Sequence, residues 1–276
     1  MKIRNILILA ILAHCTASLL PAQSAPQSIA DSLIDVTGGV SVFRFEVIVL
    51  FRADGTFQVI STKGTSNTSI GIQTNPPSSG TYTYTTTPLV SGLVGTVTTT
   101  ATSGPNIGSF AIGEEDTFGE YPTVINCYLP NAITGAANVS NNSWVTPAHP
   151  AISGFVIEGT SPRWVLIRGD GPSLSQFAVA NPVSNPTITL TSVSSGSGPV
   201  AVNTWSSDPN LVPGFQAMFS LAGAFQFPSD SADCATLVFL SPGAYLVTAS
   251  TSSSAGQVLT EVYVLPYGDQ TITSVL

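Results

Sequence analysis

Charged side chains are scarce along the whole chain, and this scarcity limits the folds that it can adopt. Asp, Glu, Lys and Arg make up only 8% of the 276 residues, whereas Ser, Thr, Gly, Pro and Val are frequent in every segment. Helices at a protein surface usually depend on Glu, Lys and Arg for solubility and for pairing between turns. Strands, in contrast, are well solvated by Ser and Thr. The sequence therefore predicts an all-β protein.

The few charges also limit the partners that the chain can bind. Seven Lys and Arg stand against fifteen Asp and Glu, for a formal net charge of -8. The basic residues after the first segment are scattered, at Arg44, Arg52, Lys63, Arg163 and Arg168. Because binding to nucleic acid requires clustered Lys and Arg to neutralise phosphates, we expect no nucleic-acid partner.

Residues 1–24 have the features of a secretory signal peptide. Lys2 and Arg4 precede an apolar run over residues 6–13, and small residues follow it. Such a segment is removed on export, so we predict an extracellular or cell-surface location for the mature protein. Lipidation at Cys15, within "LAHC", stays open as an alternative. No later segment of the sequence is long and apolar enough to predict a transmembrane helix.

Alternating apolar residues predict two β-rich modules. In the first, alternation on both sides of Asp54-Gly55 predicts a β-hairpin. Strand patterns return in the second, together with one helix-like stretch near residues 211–221. The predicted divisions are a signal peptide (1–24), an N-terminal antiparallel β-domain (29–120), a connection (121–150), a C-terminal β-sandwich (151–268) and a tail (269–276).

Four sequence blocks occur in order over residues 152–266: "GFVIEGTSPRWVLIRGDGPSL", "NPTITL", "AGAFQFPSDSADCATLVFLSPGAYLVTAS" and "GQVLTEVYVLP". Together they resemble a β-sandwich module that is common in secreted proteins of verrucomicrobial and planctomycete-type bacteria. The module looks distantly like the jelly-roll domains that follow bacterial secreted peptidases. The earlier stretch "GTYTYTTTPLVSGLVGTVTTTATSG" is similar to a small lipocalin-like β-domain of the same secreted proteins.

The resemblance implies a fold and a general role. The expected fold is all-β, with a small antiparallel barrel or curled sheet followed by a jelly-roll-like β-sandwich that carries one short helix. Modules of this kind usually accompany other extracellular domains, and they have no established catalytic residues that could be carried over to this chain. A ligand pocket inside the lipocalin-like module is a further alternative.

The tripeptide Arg168-Gly169-Asp170, which many animal adhesion receptors recognise, ends a run of apolar residues. We interpret it as structural, because the apolar run is typical of a buried strand end and Gly171-Pro172 is typical of the turn that follows. Arg168 is expected to pair with Asp170 or with a buried carbonyl group. In the modules that this segment resembles, small apolar residues follow the arginine, so Asp170 departs from their pattern.

Two cysteines remain after removal of the predicted signal peptide, Cys127 and Cys234. An oxidising compartment permits a disulfide between them. Such a bond would close a loop of about a hundred residues and restrict the unfolded chain by roughly 4 kcal/mol. The alternative for Cys234 is a small buried side chain without a covalent partner.

The sequence offers no catalytic set. His149 is the only histidine after the predicted signal peptide, and no G-x-S-x-G motif is present. One histidine and two distant cysteines do not make a structural zinc site. We therefore predict neither catalytic residues nor a metal or other cofactor.

Aromatic side chains are the stronger sign of a binding function. Trp205, Trp144 and Tyr128 are candidates for stacking on the apolar faces of sugar rings, with ordinary core packing as the alternative. We predict a non-catalytic secreted or cell-surface structural or interaction module, whose partners are other extracellular proteins or polysaccharide. A carbohydrate-binding accessory protein is the alternative, and a secreted hydrolase is a third hypothesis.

Overall fold

The computed structural model describes residues 24–40, 43–66, 78–89, 92–104, 107–112, 124–130, 137–193, 200–202, 204–209 and 211–275. Residues 1–23 of the predicted signal peptide, with Cys15, lie outside these ranges. The chain divides into two compact units, one formed by residues 1–130 and 270–276 and the other by residues 131–269. Strands predominate in the described residues, so the predicted all-β fold class is confirmed.

The elements follow one another in a simple order along the chain. The strands are β1 (Leu33–Val40), β2 (Phe43–Phe51), β3 (Thr56–Ser66), β4 (Ser79–Leu89), β5 (Gly92–Ser103), β6 (Ser109–Ile112), β7 (Val124–Pro130), β8 (Asn138–Val145), β9 (Ala151–Ile157), β10 (Arg163–Asp170), β11 (Pro186–Ser192), β12 (Val200–Val202), β13 (Cys234–Leu240), β14 (Gly243–Thr251), β15 (Gly256–Val264) and β16 (Tyr267–Val275). A 3-10 turn covers Pro172–Phe177, and the helix α1 covers Val212–Ala222.

The first unit is built around one eight-stranded sheet. Its strands follow the order β16-β7-β1-β2-β3-β4-β5-β6, and the antiparallel sheet curls into a nearly closed, barrel-like form. Apolar residues at alternate positions form one core, to which Phe51, Phe57 and Val97 belong. The hairpin expected at Asp54-Gly55 joins β2 to β3, and Asp54 Oδ1 accepts a hydrogen bond from the backbone N of Thr56 at 2.9 Å.

The second unit is a sandwich of two four-stranded sheets. We call the sheet with the order β13-β10-β15-β8 the helix-side sheet, and the sheet with the order β12-β11-β14-β9 the open sheet. Four antiparallel pairs, β8 with β15, β9 with β14, β10 with β13 and β11 with β12, are those of one long hairpin rolled up on itself. An eight-stranded double sheet of this kind is a jelly roll, so the predicted jelly-roll-like sandwich is confirmed.

The inward faces of the two sheets share one hydrophobic core. Val165 and Ile167 of β10 pack there with Ile188 of β11 and Val247 of β14. Gly169, the next inward position of β10, allows the sheets to approach closely, because a Cβ at this position would lie 2.3 Å from Cγ1 of Ile188. The period-two alternation of β10 therefore directs the other set of its residues to the outward face.

Strands also occur where the sequence predicted a connection and a tail. Within residues 121–150, β7 joins the sheet of the first unit and β8 joins the helix-side sheet. Strand β16 lies over most of the predicted tail and pairs with β7. The strand β8 is hard to recognise because it is an edge strand and most of its residues are exposed, so it lacks the apolar alternation of a half-buried strand.

Helix α1 is the one α-helix among the described residues, and it confirms the predicted short helix. Pro213 does not break it, because Pro213 lies in the first turn, where a backbone N–H has no acceptor within the helix. Gly223 ends the helix in the left-handed conformation, with φ +71°. No helix in the described ranges is long and apolar enough to span a membrane.

Candidate functional site

The outward face of the helix-side sheet carries a buried charged cluster. Arg168 and Asp170 lie on this face of β10, and Glu261 lies opposite Arg168 on β15. Helix α1 and the segment after it cover this end of the face, so the side chains of Arg168 and Asp170 are fully buried. We call Arg168, Asp170 and Glu261, together with Asp233, the buried ionic cluster.

Arg168 is held on several sides. Its Nη1 donates a hydrogen bond to the carbonyl O of Phe225 at 2.9 Å, and its Nη2 lies 3.4 Å from Oδ2 of Asp170. Its Nε lies 3.4 Å from Oε2 of Glu261. Both kinds of partner that the sequence suggested, Asp170 and a buried carbonyl, thus contact the guanidinium group. A buried arginine needs such partners because an unpaired charge in the interior is strongly unfavourable.

Three aromatic rings surround the same guanidinium group. Its central carbon lies 4.5 Å, 4.3 Å and 4.0 Å from the ring centroids of Phe219, Phe225 and Phe227. Aromatic faces attract cations, and the attraction is stronger when the cation is shielded from water. The aromatic segment therefore stabilises the arginine as well as covering it.

The environment of Asp170 favours the protonated form of its carboxyl group. Burial raises the pKa of Asp170 well above its ordinary value; the charge of Arg168 opposes this rise and the nearby Glu261 carboxyl adds to it. Glu261 accepts a hydrogen bond at Oε1 from the hydroxyl of Tyr263, at 2.7 Å. With one cation near several carboxyls, Asp170 keeps its proton over a wider pH range than an exposed aspartate does.

Asp233 fixes the turn that follows β10. Its Oδ1 accepts hydrogen bonds from the backbone N of Gly171 at 2.6 Å and of Ser173 at 3.3 Å, and its Oδ2 accepts one from the Ser173 hydroxyl. Pro172 begins the 3-10 turn, and a Cβ at Gly171 would lie 2.2 Å from the carbonyl O of Val183. Gly171 and Pro172 therefore occupy a structural turn, held by a carboxylate that is distant in the sequence.

Two of the three aromatic candidates for sugar stacking are buried. Trp205 is 1% exposed and Tyr128 is 4% exposed. The Trp205 ring packs on Phe219 and Phe227, and its Nε1 donates a hydrogen bond to the Ser231 hydroxyl at 3.0 Å. The polar residues around Trp205 are typical of an exposed loop, but the ring packs against α1 and the aromatic segment after it. Neither side chain can stack on an external sugar ring.

The third candidate, Trp144, is accessible. It lies near the end of the edge strand β8, on the outward face of the helix-side sheet, and 54% of its surface is exposed. Its partner across the strand pair is Gln257 of β15. Trp144 and the buried ionic cluster therefore lie on the same face of one sheet, but only Trp144 can be reached from outside.

The two cysteines are free and buried, so the disulfide considered above is not formed in this structure. Cys127 belongs to the core of the first unit, and Cys234 belongs to the core of the sandwich. The thiol of Cys234 lies 3.0 Å from the carbonyl O of Pro186. Burial raises the pKa of each thiol to about 12, which makes both poor nucleophiles.

His149, the residue that a hydrolase would need, lies in an exposed turn. Its backbone N and O form hydrogen bonds with Thr146, in the short connection between β8 and β9. No interaction within the described residues links its side chain to a carboxylate. The residues that the structure describes contain no group of His, Cys, Asp and Glu side chains that could hold a metal ion.

Sequence reasoning missed Glu261 and the role of Asp233 in the cluster. Glu261 is the single charged residue of the apolar block "GQVLTEVYV", and a lone charge in a strand of this kind is a signal of a buried partner. Asp233 lies between two small residues before β13, where it resembles an ordinary turn aspartate. Only the folded chain shows that it caps a turn sixty residues away.

No family model, curated protein or solved structure matches the chain. The resemblance to secreted β-sandwich modules therefore stays a prediction. The assignment of function depends on the geometry of the faces described above.

Proposed function

We propose that this protein works outside the cell as a non-catalytic structural or interaction module. The observation that carries the proposal is the distribution of charge in the sandwich. Its eight strands contain only four charged residues, Arg163, Arg168, Asp170 and Glu261, and the last three are buried. The charged groups therefore serve the interior, whereas the accessible sheet faces are neutral.

Enclosure of the cluster argues against a catalytic role for it. A general acid or base must come within hydrogen-bond reach of its substrate, and the side chains of Arg168, Asp170 and Asp233 have no exposed surface. Arg168 and Asp233 are also engaged by several protein groups each. These contacts hold α1 and the 3-10 turn on the sheet.

The accessible faces suit uncharged partners. The outward side of the open sheet presents threonines and exposed apolar residues, and none of its four strands contains a charged residue. Such a surface lacks the charge that steers nucleic acid or acidic ligands to a site. Other extracellular proteins fit this face better.

Carbohydrate binding is a second candidate function, favoured by the position of Trp144. An exposed indole ring on a sheet face, flanked by side-chain amides, combines an apolar platform with hydrogen-bonding groups. The buried positions of Trp205 and Tyr128 remove them from this hypothesis and leave Trp144 as its main residue.

A pull-down combined with an activity screen tests the proposal. The purified chain would be mixed with insoluble polysaccharides and with purified cell envelope, and the supernatant would be assayed for released sugars and peptides. Retention without release of products is the expected result. Turnover of any of these materials that is lost in the Asp170→Asn variant would contradict a non-catalytic role.

A further inference from the structure

The outward-facing row of the edge strand β8 is the most accessible neutral strip of the helix-side sheet. The strand register places Asn138, Ser140, Asn142 and Trp144 on the same outward face as Glu261, opposite Tyr263, Glu261, Leu259 and Gln257 of β15. All four β8 residues are exposed. We infer that this row, together with Gln257, binds a single neutral polysaccharide chain; the inference rests on the proposed interaction function and names its partner.

Trp144 provides the platform of this site. Its ring makes no aromatic contact within the described residues and is 54% exposed, while Trp164 and Trp205 are almost completely buried. A large indole on a sheet surface exposes apolar area to water, and a ligand with an apolar face recovers this area. The ring of a sugar has such a face, formed by its C–H groups.

The neighbouring amides provide the polar contacts. Asn142 precedes Trp144 on the same face, and Gln257 lies beside it on β15. The side chains of Asn142 and Gln257 form no hydrogen bond to any described part of the chain. Each amide carries two donors and an acceptor, which matches sugar hydroxyl groups, since every hydroxyl both donates and accepts.

Charge restricts the kind of polysaccharide. Glu261 is the only ionisable acid or base on β8 and β15 apart from the phenol of Tyr263. Glu261 is 6% exposed and its carboxyl oxygens face Tyr263 and Arg168. Because the strip has no exposed cation, it cannot compensate the carboxylates or sulfates of an acidic polysaccharide. A neutral chain is the class that fits.

The length of the row allows several sugar units to bind. Outward residues of a strand recur about every 6.7 Å, so the row from Asn138 to Trp144 is about 20 Å long. A chain that lies along β8 would stack one ring on Trp144 and place later units over Asn142 and Ser140. A single sugar, in contrast, would contact only the end of the strip at Trp144.

Affinity electrophoresis and pull-down with defined polysaccharides test the site. The neutral probes are xylan, mannan, dextran and cellulose, and the acidic probes are alginate and hyaluronate. We expect retardation by at least one neutral probe, about tenfold weaker binding for Trp144→Ala, and recovery in Trp144→Phe, since a smaller aromatic ring still stacks. Smaller losses are expected for Asn142→Ala and Gln257→Ala.

The matched control is Ile152→Ala, a truncation of an exposed apolar residue on the open sheet. This variant should bind polysaccharide as the unchanged protein does. Circular dichroism on each variant verifies folding. Binding that Ile152→Ala weakens and Trp144→Ala does not would overturn the assigned strip, as would tighter binding to the acidic probes than to the neutral ones.

The two proposals fail in different ways. Retention on cell envelope with no binding to any neutral probe would overturn the polysaccharide site and leave the interaction module intact. Absence of retention on every polysaccharide and on envelope would overturn both proposals.

Discussion

The two outward faces of the sandwich differ in how they meet their surroundings. On the helix-side sheet, Arg168, Asp170 and Glu261 are buried beneath α1 and the aromatic segment after it. On the open sheet, Ile152 and Val156 are 60% and 62% exposed, and the strands contain no charged residue. The part of the helix-side face around Arg168 carries charges and is buried, whereas the face of the open sheet is neutral and exposed.

The difference shows that composition alone does not predict which face of a sheet is solvated. A charge can be buried where several protein groups contact it. The cover over β10 supplies a carbonyl and three rings, and strands β10 and β15 themselves supply two carboxyls. The open sheet needs no cover, because its threonine hydroxyls can form hydrogen bonds with water and exposed apolar residues are tolerated at a surface. The comparison predicts that equivalent substitutions will have very different effects on the two faces.

The largest difference is expected between two tryptophans. Trp205→Ala should reduce the free energy of unfolding by about 3–5 kcal/mol, because it leaves a cavity between Phe219 and Phe227. Trp144→Ala should change it by less than about 0.5 kcal/mol, since the ring is mostly exposed. Chemical denaturation measures both values. Equal effects of the two substitutions would contradict the buried and exposed assignments.

Removal of the buried charge of Arg168 should reduce the free energy of unfolding nearly as much as Trp205→Ala does. Arg168→Met retains much of the side-chain volume but leaves Asp170 and Glu261 without a positive partner, so we expect a loss of about 3 kcal/mol. Arg168→Lys retains the charge and lacks the fork that contacts three groups at once, and should fall between Met and Arg. A melting curve for Arg168→Met that matches the unchanged protein would show that the cluster does not stabilise the cover.

Substitutions in the turn held by Asp233 should reduce the free energy of unfolding by an intermediate amount. Asp233→Asn retains an acceptor for the two backbone N–H groups but has no second acceptor for the Ser173 hydroxyl, and it loses the charge. We expect a loss of about 2 kcal/mol. Ser173→Ala removes only the hydroxyl and should cost about 1 kcal/mol. Urea denaturation of both variants measures the difference, and a larger effect for Ser173→Ala would contradict the role of Asp233.

Asp170 should make the stability of the sandwich depend on pH. Because its pKa in the folded protein is raised above the ordinary value of 3.8, the folded state binds the proton more tightly than the unfolded chain does. The free energy of unfolding should therefore fall as pH rises from about 4 through the raised folded pKa. Asp170→Asn, which resembles the protonated acid, should flatten this fall.

The matched control for this pH dependence is Glu158→Gln, in the exposed loop after β9. It should leave the pH profile of stability unchanged. Denaturation curves at several pH values from 4 upwards provide the comparison. A profile that Asp170→Asn does not alter would show that Asp170 does not govern the pH dependence.

The smallest effects are expected on the open sheet. Val156→Thr and Thr189→Val exchange side chains of similar size on its outward face, and each should change the free energy of unfolding by less than about 0.5 kcal/mol. The same kind of exchange on the inward face, Val247→Thr, buries an unpaired hydroxyl in the core and should cost about 1–3 kcal/mol. Thermal unfolding of the three variants tests whether the outward face is free of cover.

Local patterns predicted the regular parts of the fold well. The Asp54-Gly55 hairpin is encoded within a few residues, and α1 follows from the spacing of its apolar residues. The edge strand β8 and the final strand β16 were not predicted, because their pairing partners are distant and their own residues show little alternation. The burial of Trp205 stayed one of two alternatives for a similar reason, since Phe219, Phe227 and Ser231 come from later segments.

The sequence by itself determined the β-rich character of this protein, because scarce charge and alternating apolar residues favour strands and act within short segments. It also indicated the structural nature of the turn after Arg168, through the Gly171-Pro172 pair. Only the tertiary structure decided which carboxyl groups meet Arg168, which aromatic ring stays in water and which sheet face is covered. These outcomes depend on contacts between residues far apart in the chain, and local composition and spacing do not specify which of those residues meet.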